Sequence, residues 1–139
     1  MILTYTGTIK ETQNVPILWD VIREANYTME ISGTIDYTVR QSIKGINLID
    51  HGYVSHEKSL QLIKNARILL LLIPNSKGKE ITTGKIYEYL AAYRPIIGIG
   101  PTDGDAADIL NETGHGKMID YQDGQGMKEY LYSLENWME

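Results

Sequence analysis

The run RILLLLIP, residues 67 to 74, is apolar from Ile68 to Ile73 without a polar interruption. A strand that alternates faces can be this uniformly apolar only if both of its faces are covered. It is also far too short to cross a bilayer as a helix, so it reads as the buried centre of a sheet flanked by helices.

The segments on either side supply those helices and further strands. ILTYT, residues 2 to 6, is short, apolar and β-prone and stops at Gly7. After the loop KETQN, Asn14 is a candidate cap and Pro16 suits a first helical turn. Ile17, Leu18, Val21, Ile22 and Ala25 then recur at helical spacing. YTMEISG alternates Tyr27, Met29 and Ile31 against polar residues, the pattern of a strand near a sheet edge. A helical piece from Tyr37 to Ile43 leads to Gly45, and INLIDHGYV reads as a third strand. Ser55 can cap the helix SHEKSLQLIKNA, with Leu60, Ile63 and Ala66 on one face.

Beyond RILLLLIP, a helix is predicted from about Thr83 to Tyr93 and a buried strand at PIIGIG. A helix from Asp105 to Leu110, a short strand at GKMID and a final helix through Met127, Tyr130, Leu131, Leu134, Trp137 and Met138 complete the chain. Strands alternating with helices of roughly ten residues imply parallel crossovers. The expected fold is a Rossmann-like, doubly wound parallel sheet of about six strands with helices on both faces, in one domain over residues 1 to 139. Ligands of such sheets bind outside the carboxyl ends of the strands. The loops to read are therefore 7 to 14, 33 to 36, 52 to 57, 74 to 85 and 100 to 105.

Charge narrows the partners. Thirteen Lys and Arg against 18 Asp and Glu leave a net charge of −5, with no basic run, which argues against a nucleic-acid binder. There are no cysteines, so disulfides, thiolate metal sites and cysteine nucleophiles are excluded, in keeping with a reducing compartment. No signal peptide or membrane span is recognisable.

Several motifs come close to known patterns and miss. Gly78 to Lys85 approaches a P-loop, but five residues separate its glycines and Ile86 stands where a magnesium-binding hydroxyl belongs. Gly98, Gly100 and Gly104 imitate a dinucleotide fingerprint with one residue too many, and Asp120 is only a lone candidate for its acidic partner. Asp103 and Asp105 have the spacing of a cation-binding pair, yet Asp after Pro-Thr more often caps a helix. Of the three histidines only His56 falls in a strand-end loop.

The stretch KEITTGKIYEYLAAYRP, residues 79 to 95, is different, because several requirements coincide in it. Thr83, Gly84 and Lys85 fall in the first turn of a helix that follows a strand, where unpaired N–H groups favour an anion. Gly84 allows close approach of a phosphate and Lys85 adds a full charge. Glu80 precedes the helix, whereas Glu88 lies inside it, placed to accept hydrogen bonds from two ribose hydroxyls. A solvated charged helix remains the alternative.

With Glu80, seven intervening residues and Glu88 running into KIYEYLAAYRPII, the chain resembles the retaining GT-B glycosyltransferases of family 4, also called group 1. YTGT, HGYVSHEKSLQLIKNARILLLLIP and GKMID extend the resemblance over nearly the whole chain. It implies the C-terminal, donor-binding half of a two-domain enzyme, with the acceptor-binding N-terminal domain missing from this sequence. The implied activity is hexosyl transfer from a UDP- or GDP-linked sugar to an acceptor glycan or lipid-linked sugar in glycan synthesis. This fragment alone is then expected to be inactive.

By the same resemblance Glu88 holds the ribose and Glu80 is the catalytic residue, near the donor sugar. Thr83, Gly84 and Lys85 meet the diphosphate, and Val54 and His56 border the base. Neither metal nor cofactor is implied. The location implied is cytoplasmic, with a peripheral attachment of the parent protein to the inner membrane face left open. One departure stands out: Thr8 occupies the place of the family's phosphate-binding Arg, and Lys10 is the only base nearby. Lys85, alone or with Lys10, is expected to take over that charge. Two other readings stay open, a free-standing α/β interaction domain and half of a sugar-nucleotide epimerase.

Overall fold

The structure, a computed structural model, describes residues 1–75 and 84–137. Six strands form one parallel sheet: β1 (Ile2–Thr6), β2 (Thr28–Ser32), β3 (Asn47–Gly52), β4 (Ile68–Leu72), β5 (Ile96–Ile99) and β6 (Gly116–Ile119), in the order β3-β2-β1-β4-β5-β6. Between them run α1 (Pro16–Glu24), α2 (Tyr37–Ser42), α3 (His56–Lys64), α4 (Lys85–Ala91) and α5 (Asp105–Thr113), with α6 (Gly124–Trp137) at the end. The expected doubly wound, Rossmann-like α/β sheet is present.

Every residue of β4 is buried, and its side chains divide between two cores. Leu70 and Leu72 join Leu3, Trp19, Ile22, Met29 and Leu131 beneath α1, α2 and α6. Leu69 and Leu71 join Ile63, Ile86, Tyr89 and Leu110 beneath α3, α4 and α5. Burial on both faces explains why the sequence here does not alternate, and each such side chain contributes about 2 kcal/mol.

Three local expectations need correction. Asn14 does not cap α1: the N-cap is Val15 and makes no side-chain capping bond. Asn14 instead accepts from Trp19 Nε1 at 2.7 Å and donates to Ser42 Oγ at 3.0 Å, so a long-range pair outcompetes the local cap. β2 does lie near the edge, one strand in, with β3 outside it. Leu60 is 41% exposed, while Ile63 is buried, as α3 turns its apolar stripe under Ile63. Neither Asp103 nor Asp105 is the N-cap of α5; Gly104 is. Ser55 does cap α3, accepting from the Lys58 amide.

The strand order reverses between β1 and β4. From β1 the chain goes outward to β2 and β3, and from β4 outward to β5 and β6. The crevice outside the carboxyl ends of these two neighbours is where such sheets take their ligands.

Candidate functional site

Three strand-end turns are laced together at this edge. The Gly7 amide donates to Ser32 O at 2.8 Å, the Gly33 amide to Gly52 O at 2.7 Å, and the Ile9 amide to Thr34 O at 2.9 Å. Gly7 and Gly33 have φ of +110° and +134°, conformations that side chains rarely adopt. A methyl group on Gly33 would overlap the Gly7 carbonyl. Glycine is required there by the close approach of the two turns.

A fourth segment is fastened to them by Gln13. It donates to Tyr5 Oη at 3.2 Å and to Leu72 O at 3.0 Å, and its Oε1 accepts from the Lys10 amide at 2.9 Å. The loop after β1 is thereby tied to the end of β4. Burial pushes the Tyr5 hydroxyl up to about 12, against the opposing pull of the Gln13 bond.

Above these turns lie two adjoining cavities that share Gly7, Thr8 and Lys85. One, of about 230 Å³, is also lined by Ser32, Gly33, Val54 and His56. The other, of about 260 Å³, is lined by Thr6, Lys10, Gln13 and Pro74. Lys10 and Lys85 thus face one space, and Lys85 and Thr8 border the second as well. Thr8 Oγ1 lies 3.0 Å from Thr34 Oγ1.

Helix α4 presents the cluster at the mouth. Ile86 and Tyr89, three residues apart, are fully buried and fix its roll. The Tyr89 hydroxyl donates to Leu70 O at 3.0 Å and accepts from the Thr6 amide at 3.3 Å, which pins α4 to both central strands. Burial drives its ionisation well above the ordinary phenol range. Lys85 and Glu88 consequently share the neighbouring face. Lys85 Nζ is 3.6 Å from Glu88 Oε1, and His56 Nε2 is 3.6 Å from Glu88 Oε2. The lysine and glutamate side chains are about a quarter exposed, but His56 is 75% exposed, so its pairing is weak and easily displaced.

Gly84 precedes α4 in helical conformation, and among the described residues nothing lies within 4 Å of where a Cβ would stand. Among the described residues nothing demands glycine there. Glu80 and Thr83 lie outside the described residues.

Two hydroxyls at this edge were not foreseen. Thr6 Oγ1 and Ser32 Oγ are buried with no hydrogen-bond partner among the described residues. They end adjacent strands in register, one under each cavity. A serine closing YTMEISG carried no signal of this, and Gln13, whose partner is 59 residues away, carried none either.

The other motifs resolve into packing and turns. A Cβ on Gly100 would meet Ile73 at 2.7 Å, and one on Gly98 would meet Met118 at 3.0 Å. Asp120 accepts from the Gln122 amide in a local turn. His51 pairs with Glu30 at 2.9 Å, away from α4. Among the described residues no helix is long and apolar enough to cross a membrane.

The Rossmann-like fold is similar to that of one domain in solved GT-B glycosyltransferases. The structures it is similar to include Anabaena Alr3699/HepE in complex with UDP, at TM-score 0.74 and 14% identity over 99% of this chain and 40% of that one. AviGT4, a glycosyltransferase involved in avilamycin A biosynthesis, gives 0.71 and 16% over 94% of this chain and 41% of that one. The glycosyltransferase GlyE of Streptococcus pneumoniae TIGR4 gives 0.61 and 12% over 95% and 32%. The chain thus spans about two-fifths or less of the length of these proteins. No protein-family model matches it, and no curated protein matches it in sequence.

Proposed function

We propose that this chain binds the nucleotide-sugar donor of a glycosyltransferase, holding a UDP- or GDP-linked hexose at the carboxyl edge of its sheet. The carrying observation is the Lys85–Glu88–His56 cluster at the mouth of cavities floored by the Gly7 and Gly33 turns. Glutamate here has one oxygen toward a fixed cation and the other toward an exposed, displaceable imidazole. That arrangement suits a ligand with an anionic end and a diol: the diphosphate against Lys85, the ribose hydroxyls on Glu88 Oε2. The UDP complex of HepE, which has the same fold, supports the reading.

Chemically, the domain orients the anomeric carbon and stabilises the leaving group. As the bond from that carbon to the diphosphate breaks, negative charge gathers on the departing oxygens, and a preorganised cation lowers its energy. Lys85 takes this role, with Lys10 facing the same space. The reading uses Thr83 and Gly84 against the diphosphate and Val54 and His56 beside the base. It assigns Glu80 to the sugar end and calls on neither metal nor cofactor.

Retention of configuration, hexose as the sugar, a role in glycan or polysaccharide synthesis and a cytoplasmic site belong to the proposal through the family resemblance. So does an acceptor-binding domain supplied by a longer protein. This chain alone then binds donor without transferring the sugar.

A thermal-shift panel of UDP, GDP, ADP and CDP tests the proposal. A nucleotide at 100 times its dissociation constant stabilises by about 2.7 kcal/mol, a readily measured rise in Tm. No rise with any of the four at millimolar concentration would favour an interaction domain that has kept the fold and lost the ligand.

A further inference from the structure

The opposite edge of the sheet carries a cavity of about 410 Å³ beneath the amino ends of β5 and β6, lined by Tyr93, Arg94, Pro95, His115 and Tyr130 among others. That volume lies within the range of small-molecule sites.

Its chemistry is unlike that of an ordinary surface dimple. Tyr93 follows the C-cap of α4 with φ of +55°, a position usually given to glycine or asparagine. In return for the strain the residue is 78% exposed, so burial does not explain it. The ring centroid lies 5.4 Å from that of His115, with the planes at 52°, which makes a V-shaped aromatic wall. His115 lines the cleft, while its Nδ1 is buried without a partner among the described residues and faces away from the open space. Arg94 is held at the rim by its Nε donating to Lys64 O at 3.1 Å. Among the described residues no carboxylate lines the cavity, in a chain with a net charge of −5.

We propose that this cleft binds one ring of an acidic saccharide, a sugar carrying a carboxylate or a phosphate. The apolar face of a pyranose packs on the Tyr93 ring, its hydroxyl edge meets the imidazole, and its anionic group pairs with the Arg94 guanidinium, whose planar fork suits either oxyanion. A V-shaped wall cannot sandwich a flat base, whereas a puckered ring fits its opening. The choice of a saccharide rests on the donor-domain reading above; the choice of an anion rests on the cleft alone.

The test is an amide NMR titration of the 139-residue chain, with and without UDP, against a hexuronate oligosaccharide, a hexose 6-phosphate, a neutral glucose oligosaccharide and inorganic phosphate. Both acidic sugars are expected to move the amides of Tyr93, Arg94 and His115 and to bind at least tenfold more tightly than the neutral one. Tyr93→Gly, which accepts the left-handed backbone and should fold with an equal or higher Tm, is expected to weaken both at least tenfold. Arg94→Gln is expected to abolish the preference for acid.

No shift at these amides, inorganic phosphate binding as tightly as the sugar phosphate, or undiminished affinity in Tyr93→Gly would each overturn the proposal. UDP binding without any saccharide shift overturns the cleft alone. Saccharide binding with no UDP binding overturns the donor-domain reading and leaves the cleft standing.

Discussion

Lys85 Nζ lies 3.6 Å from Glu88 Oε1, one helical turn further along α4, while His56 Nε2 stands equally far from the other carboxylate oxygen. The pair is partly exposed and contributes little to stability, so its arrangement is better read for what it offers a ligand.

Lys85→Ala should weaken nucleoside diphosphate binding by about 10- to 100-fold, the worth of one hydrogen bond to a charged group, with little change in Tm. Lys10→Ala should weaken it less. Calorimetric titration of both variants checks the order; loss on Lys10→Ala with no loss on Lys85→Ala would reassign the charge.

Glu88→Gln separates ribose from phosphate. With the carboxylate gone, affinity for UDP should fall, while affinity for inorganic pyrophosphate should hold or rise because Lys85 loses its competing partner. A parallel fall for both ligands would mean that Glu88 acts by positioning Lys85.

Much of this was legible in local pattern. The unbroken apolar run of β4 announced a central strand, and the helix predicted over Thr83 to Tyr93 already put Lys85 in its first turn and Glu88 inside it. What local pattern does not carry is any partner set by the sheet. The Gln13 latch reaches a carbonyl 59 residues away, and Asn14 leaves its expected cap for Trp19 and Ser42. Thr6 and Ser32 meet only because β1 and β2 pair in register. The glycine turns were visible as strand ends, but the contact that makes Gly33 irreplaceable lies across two loops.

Ser32→Ala removes a buried hydroxyl that has no partner among the described residues. Deleting such a group relieves a desolvation penalty of about 1–3 kcal/mol, so the unliganded protein should unfold at an equal or higher temperature. A clear drop in Tm would show that the hydroxyl is satisfied in solution.

Gly33→Ala should do the reverse. Its methyl group overlaps the Gly7 carbonyl and its φ of +134° is strained for alanine, so both Tm and nucleotide binding should fall sharply. Chemical denaturation beside a binding titration checks the two together.

Alkaline titration probes the buried phenols. Tyr5 ionises near 12 when folded against 10.0 as the ordinary value, because burial disfavours the phenolate. Above pH 10 the unfolded chain therefore loses protons that the folded one keeps. Stability should be constant on this account below about pH 10 and decline from there to about pH 12, by about 2–3 kcal/mol for this tyrosine. Tyr5→Phe should flatten part of that decline.

The central claim is that a nucleoside diphosphate sits on the Gly7 and Gly33 turns beneath Lys85, and amide NMR of the chain titrated with the best nucleotide of the panel tests it most directly. The account predicts shifts at Gly7, Thr8, Gly33, Thr34, Val54 and Lys85, with the amino edge of the sheet unmoved. Shifts confined to any other surface, or none at saturating nucleotide, would contradict it.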